Sequence, residues 1–166
     1  MAKKVMKGMR YYSGKSVYEA ALERIRFIFD EFPEVVVAIS GGKDSTVCYH
    51  LALEVARERG RLPLKVMFID QESEYPFTID QIRKDMGNPE VEPIWLQVPF
   101  VLGNVSLENP WFNCWGEGEE WLRDKEPNSI HENTFGTDRF YKLFDNVFRE
   151  MFRGQKVARI GGVRYT

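Results

Sequence analysis

Apolar residues along this chain follow two alternating periods. Ser16-Val17-Tyr18-Glu19 has the form of a capping box, and Ala20, Ala21, Ile25, Ile28 and Phe32 recur at helical spacing until Pro33 ends the pattern. Val35-Val36-Val37-Ala38-Ile39 then runs without a polar break, as in a strand buried on both faces. After Gly41-Gly42 a second helix is readable from Asp44, with Val47, Leu51 and Val55 as its stripe and Gly60 as its stop. Leu64 to Ile69 reads as the next strand, Thr78 to Met86 as a third helix with Ile79 and Ile82 inward, and Pro93 to Val98 as a third strand. Arg139 to Arg153 carries Phe140, Leu143, Phe144, Val147, Phe148 and Met151 at helical spacing, and Val157 to Ile160 is a final short strand.

Strand, glycine turn, helix and strand in that order form a βαβ unit, which requires parallel strands joined by a right-handed crossover. The expected fold is therefore α/β, a doubly wound, mostly parallel sheet of four strands with helices on both faces. The region from Phe100 to Thr137 interleaves Gly, Asn and Pro with Trp111, Phe112, Trp115 and Trp121, and is expected to form loops with short helical pieces.

The length of 166 residues predicts a single domain over 1–166. With 43% hydrophobic and 29% charged residues the composition is that of a soluble globular chain. Twenty-three basic side chains against 25 acidic ones give a net charge of -2, so nothing global attracts nucleic acid or anionic lipid, and any anion site must be local. Lys3, Lys4, Lys7 and Arg10 read as a solvated basic arm. No secretory signal and no membrane-length apolar run is present, and the two cysteines, Cys48 and Cys114, lack metal or disulfide spacing, so a reducing cytoplasmic setting is expected. His50 and His131 have no partners at metal-ligand spacing.

Candidate chemistry concentrates in Ser40-Gly41-Gly42-Lys43-Asp44-Ser45, beyond the end of a buried strand and at the start of a helix, where doubly wound sheets bind ligands. Two glycines let backbone approach an anion closely, and helix-start amides point outward with the positive end of the macrodipole behind them. Ser40 and Ser45 add hydroxyls and Lys43 a compact positive charge. Asp44 would repel the same phosphates, so it serves either as the helix N-cap or as a ligand to Mg²⁺ carried by them. The spacing is not that of GxxxxGK[ST]. Asp70 and Glu72, at a strand exit, either position Mg²⁺ or a ribose hydroxyl or merely solvate a loop. The tryptophan-rich segment either stacks on a base or packs a loop on the sheet edge, and Cys114 reads as a buried or lid thiol.

At the loop the sequence resembles the PP-loop family of ATP pyrophosphatases and phosphoadenosine phosphosulfate (PAPS) reductases, whose fingerprint is SGGxDS after the first sheet strand. Phe68-Ile69-Asp70 with Glu72 and Glu74-Tyr75-Pro76 resembles the exit of the second strand in PAPS reductases, and Gly161-Gly162-Val163-Arg164 resembles their GxR segment. More narrowly, these stretches and Pro110 to Trp115 resemble the PAPS reductase-like proteins of phages and prophages, the Ibr-type co-activators of prophage gene expression.

The resemblance implies an adenine nucleotide, ATP or PAPS, with Mg²⁺ as cofactor. It implies Lys43, Asp44 and Arg164 as catalytic groups, Ser40, Gly41, Gly42, Lys43, Asp44, Ser45 and Asp70 as nucleotide-binding residues, and Asp44 as the metal ligand. With ATP, pyrophosphate would leave as an adenylyl group is transferred; with PAPS, the sulfuryl end would sit on the same loop. Two departures are visible. The GxR-like segment is followed only by Tyr165-Thr166, which implies truncation relative to the family, and no residue beyond Cys114 supplies the cysteine with which PAPS reductases attack the sulfuryl group. The competing expectation is a non-catalytic nucleotide-binding regulatory module that works with a protein partner; oligomeric state and acceptor stay open.

Overall fold

The computed structural model describes residues 14–103 and 108–162. Ser16 opens the first helix, α1 (Val17–Glu31), through the capping box: its backbone N–H donates to Glu19 Oε2 at 2.8 Å and its hydroxyl accepts from the Glu19 N–H at 3.2 Å. The remaining elements follow as β1 (Glu34–Ala38), α2 (Lys43–Glu58), β2 (Leu64–Ile69), α3 (Pro76–Met86), β3 (Val91–Leu96), β4 (Phe100–Gly103), β5 (Trp111–Cys114), α4 (Phe140–Met151) and β6 (Val157–Gly161). Pro76 starts α3 two residues earlier than its apolar pattern suggests, since proline at a first helical position forfeits no hydrogen bond.

The sheet order is β3-β2-β1-β6, with all three pairings parallel. Register is regular, with Val37 opposite Val66 on one side and Ile160 on the other. Both faces are covered, as a sheet of buried β-branched strands requires. On one face Val35, Val37, Val66 and Phe68 pack with Leu22, Ile25 and Phe29 of α1, Leu53 of α2 and Ile82 of α3. On the other, Val36, Met67, Ile94 and Leu96 pack with Leu143 and Val147 of α4, and with Phe100, Cys114 and Trp115. Strand order runs outward from β1 through β2 to β3 and then returns to the opposite side of β1 with β6, so the topological switch lies between β1 and β6.

Two expectations are corrected. Val47 is 57% exposed; the buried face of α2 is Tyr49, Ala52, Leu53, Val55 and Ala56. The helix is rotated so that it serves the sheet and α1 together, with Arg26–Glu58, Arg59–Asp30 and Tyr18–Glu54 contacts lacing the two helices. The segment after Pro99 forms no helix among its described residues up to Thr137; instead β4 and β5 pair antiparallel, Phe100 opposite Cys114 and Leu102 opposite Phe112. No helix among the described residues is long and apolar enough to cross a membrane.

Candidate functional site

β1 ends at Ala38 and the chain turns through Ser40 and Gly41 into α2. Gly41 has φ +69°, a conformation that strains any side chain, and a Cβ there would lie 2.5 Å from Thr78 Cγ2, so the turn is also pressed against the start of α3. Gly42, not Asp44, is the N-cap of α2, with extended backbone and no side-chain cap; Asp44 falls in the first turn, which rules out the capping role considered for it. Its carboxylate there still complements the macrodipole.

The two serines brace the loop. Ser45 Oγ donates to the Gly42 carbonyl at 2.9 Å and accepts from the Ser40 N–H at 3.1 Å, and the two hydroxyls stand 3.1 Å apart. Ser45 is buried, whereas Lys43 and Asp44 are exposed, with Lys43 Nζ 2.9 Å from Asp44 Oδ1. Across the switch point, β6 delivers Gly161 and Gly162 against this turn. A Cβ on Gly162 would lie 2.7 Å from the Asp44 carbonyl carbon and the Ser45 nitrogen, so only glycine lets the two backbones meet. A cleft of about 400 Å³ opens here, lined by Ser40, Ser45, Gly161 and Gly162 on the loop side and by Phe140, Tyr141, Phe144, Asp145 and Arg159 opposite.

Asp70 lies elsewhere. It is fully buried at the end of β2 and does not line the cleft; its carboxylate accepts from Trp95 Nε1 at 2.8 Å, Gln97 Nε2 at 3.0 Å and the Glu72 N–H at 2.9 Å, and pairs with Arg123. Glu72, also buried with φ 64°, accepts from the backbone N–H groups of Trp115 and Leu122. These acids anchor the tryptophan-rich segment to the sheet: Trp115 is completely buried and its indole N–H donates to the Asp70 carbonyl at 2.8 Å. Arg123 and Lys125 lie over the Trp115 ring, 5.0 and 5.7 Å from its centroid. Burial and the charge of Asp70 push the Glu74 carboxyl up, and burial pulls the Lys125 ammonium down. Asp70 thus sits in an anchoring geometry away from the cleft, and Trp115 packs rather than facing outward. Arg164 lies outside the described residues, as do Lys3, Lys4, Lys7 and Arg10.

Cys114 sits in the same acidic region, buried, its thiol donating to the Gln71 carbonyl at 3.3 Å. Burial first, then the charges of Glu72, Asp70 and Glu74, push the thiol up to about 12 from an ordinary 9.0. Because the folded value is raised, the neutral thiol's contribution to stability is complete below pH about 9 and is lost as pH rises through about 12. At pH 8 iodoacetamide should leave Cys114 unmodified in the folded protein and modify it fully in urea. Peptide mass spectrometry reads both states, and rapid labelling of the native protein would contradict the assignment.

A parallel sheet whose strand order reverses beside a glycine-rich, helix-opening loop defines a doubly wound α/β protein with that loop at its ligand-binding switch point. Residues 34–91 match the phosphoadenosine phosphosulfate reductase domain. Over 151 residues, 86% of this chain, it is 33% identical to the protein YbdN of Escherichia coli (strain K12), covering 37% of that protein. Over 50 residues, 30% of this chain, it is 50% identical to sulfate adenylyltransferase subunit 2 of Mycobacterium tuberculosis (strain ATCC 25618 / H37Rv), covering 16% of it. The match to the phosphoadenosine phosphosulfate reductase domain thus covers β1 to the start of β3, and the chain spans well under half the length of these relatives.

Phe140, Tyr141, Phe144, Asp145 and Arg159 were not singled out as site residues in the sequence. Phe140 and Phe144 read there as helix periodicity, Tyr141 and Asp145 carried no signal, and Arg159 was one polar position in a short strand; only the return of β6 beside β1 brings them to the loop.

Proposed function

We propose that the Ser40–Ser45 loop holds the phosphates of an adenine nucleotide and that the protein uses ATP or PAPS in a PP-loop reaction. The observation that carries this reading is the meeting of two glycine segments at the switch point, where Gly162 packs on the uncapped first turn of α2 beneath an open cleft. Helix-start amides and the macrodipole then face an anion, with Ser40 and Ser45 fixed by their mutual hydrogen bonds.

Lys43, exposed at the first helical position, neutralises charge on the departing or transferred group. Mg²⁺ fits the donor set: Asp44 is an exposed carboxylate on the loop, and this ion takes one or two carboxylates with substrate phosphates and water completing its shell. When bound it would supply charge neutralisation on the phosphates. Among the described residues no group of three or more His, Cys, Asp or Glu could hold a metal unaided. Asp70 acts by positioning the segment over the ends of β2 and β3 rather than by touching nucleotide.

Purified protein incubated with radiolabelled ATP and Mg²⁺, or with labelled PAPS and a thiol, tests the reading. Release of pyrophosphate with AMP, or of the sulfur group from PAPS, is expected, and Lys43→Ala should slow it by about tenfold or more. Absence of product from both nucleotides would contradict catalysis, and absence of binding would contradict the site.

A further inference from the structure

The short β4–β5 ladder has an open edge. Val101 of β4 turns its N–H away from β5 and donates it to the Asp138 carbonyl at 2.6 Å, so the hydrogen-bonded pairs of the ladder are Phe100 with Cys114 and Leu102 with Phe112. The backbone N–H and C=O groups of Trp111 and Asn113 therefore point outward, and among the described residues no strand pairs with them. The four-stranded sheet guards its own edges, with Glu92 and Pro93 exposed on β3 and Arg159 exposed on β6. β5 carries no charge and no proline; instead Trp111 is 55% exposed and Phe112 36%.

Charge along this edge is self-complementary. Trp111 and Asn113 project from one face of the hairpin, as residues two apart in a strand do. At the Trp111 end the Arg139 guanidinium lies 4.5 Å from the centre of the indole, with Asp138 Oδ1 3.6 Å from its Nε. At the Asn113 end the exposed Glu119 accepts from Asn113 Nδ2 at 3.2 Å. An antiparallel copy of the strand reverses these ends, which brings each Arg139 beside the partner's Glu119. We propose that β5 pairs with β5 of a second copy of this chain, about a two-fold axis through Phe112. Trp111 and the partner's Asn113 then exchange both backbone hydrogen bonds, the symmetry-related residues do the same, and the two Phe112 side chains meet at the non-hydrogen-bonded centre. A second copy fits better than a foreign strand because this one edge supplies both signs of charge in the order that its own reversal requires. The proposal does not depend on the reading of the Ser40–Ser45 loop, none of whose residues lies on this edge.

Sedimentation equilibrium of the whole chain, from micromolar to near-millimolar concentration, should show a monomer–dimer equilibrium. Arg139→Glu exchanges attraction for repulsion on both sides of the axis, so it should raise the dissociation constant by about tenfold or more. Glu119→Arg should do the same, and the two substitutions together should restore most of the association. Phe112→Cys tests the register. Residues facing each other in a non-hydrogen-bonded pair have Cα atoms ~4.5 Å apart, within disulfide reach, so mild oxidation should link this variant into dimers on a non-reducing gel. Trp111→Cys, displaced by two residues from its counterpart, should link poorly. A chain that stays monomeric at every concentration leaves the edge to a different protein and overturns the dimer. A dimer indifferent to both charge reversals, or equal cross-linking at the two positions, overturns it as well.

Discussion

Asp70→Ala is expected to destabilise the protein by about 3–5 kcal/mol, the usual cost of removing one member of a buried ion pair. Arg123 is only 18% exposed, so without Asp70 its charge would stay in a region lined by Trp115, where among the described residues the one remaining acid within 4 Å is Glu126 at 3.9 Å. Trp95 and Gln97 would each lose an acceptor as well. Urea denaturation followed by circular dichroism measures the change. The double substitution Asp70→Leu with Arg123→Met should recover a large part of it, because the cost comes from an unpaired buried charge rather than from loss of the pair itself. A single-variant loss under about 1 kcal/mol would contradict the anchoring role.

Gly42→Val has the opposite signature: nucleotide affinity should fall by about 10- to 100-fold, as expected for losing one or two charge-assisted hydrogen bonds, with little change in unfolding. The backbone at Gly42 has φ -80°, which valine tolerates, and an added Cβ meets only Ser40 Oγ at 3.5 Å. The exposed backbone at Gly42 therefore accepts the added Cβ while the anion site does not. Calorimetric titration with ATP and with PAPS, beside a thermal melt, reads both quantities. Unchanged affinity for both would remove the loop from the site.

Local chemistry made much of this fold legible. A capping box, a run of buried β-branched residues and a glycine turn each act over a few residues, so α1, β1 and the start of α2 could be read from sequence, and four parallel strands followed from the βαβ order. The orientation of α2 was not legible at Val47, because burial there depends on where α1 docks. The β4–β5 hairpin was missed because four-residue strands across a long connection leave little periodicity, and their pairing is settled by Phe100 and Cys114 packing beneath the sheet. At the site the loop stood out by its composition. The pairing of Asp70 with Arg123 was not legible, because an acid at a strand exit looks the same whether it faces a ribose or an arginine 53 residues later. Arg159 carried no local signal, since its place comes from the strand order alone.

The central claim is that nucleotide phosphates sit on the amides at the β1–α2 junction. Backbone amide NMR of the ¹⁵N-labelled protein, titrated with ATP and with PAPS, observes those groups directly. The largest shifts are predicted at Gly41, Gly42, Lys43, Asp44 and Ser45, with at least one nucleotide saturating. Saturation with the largest shifts on α1 or at the β4–β5 hairpin, and none at the junction, would contradict the account.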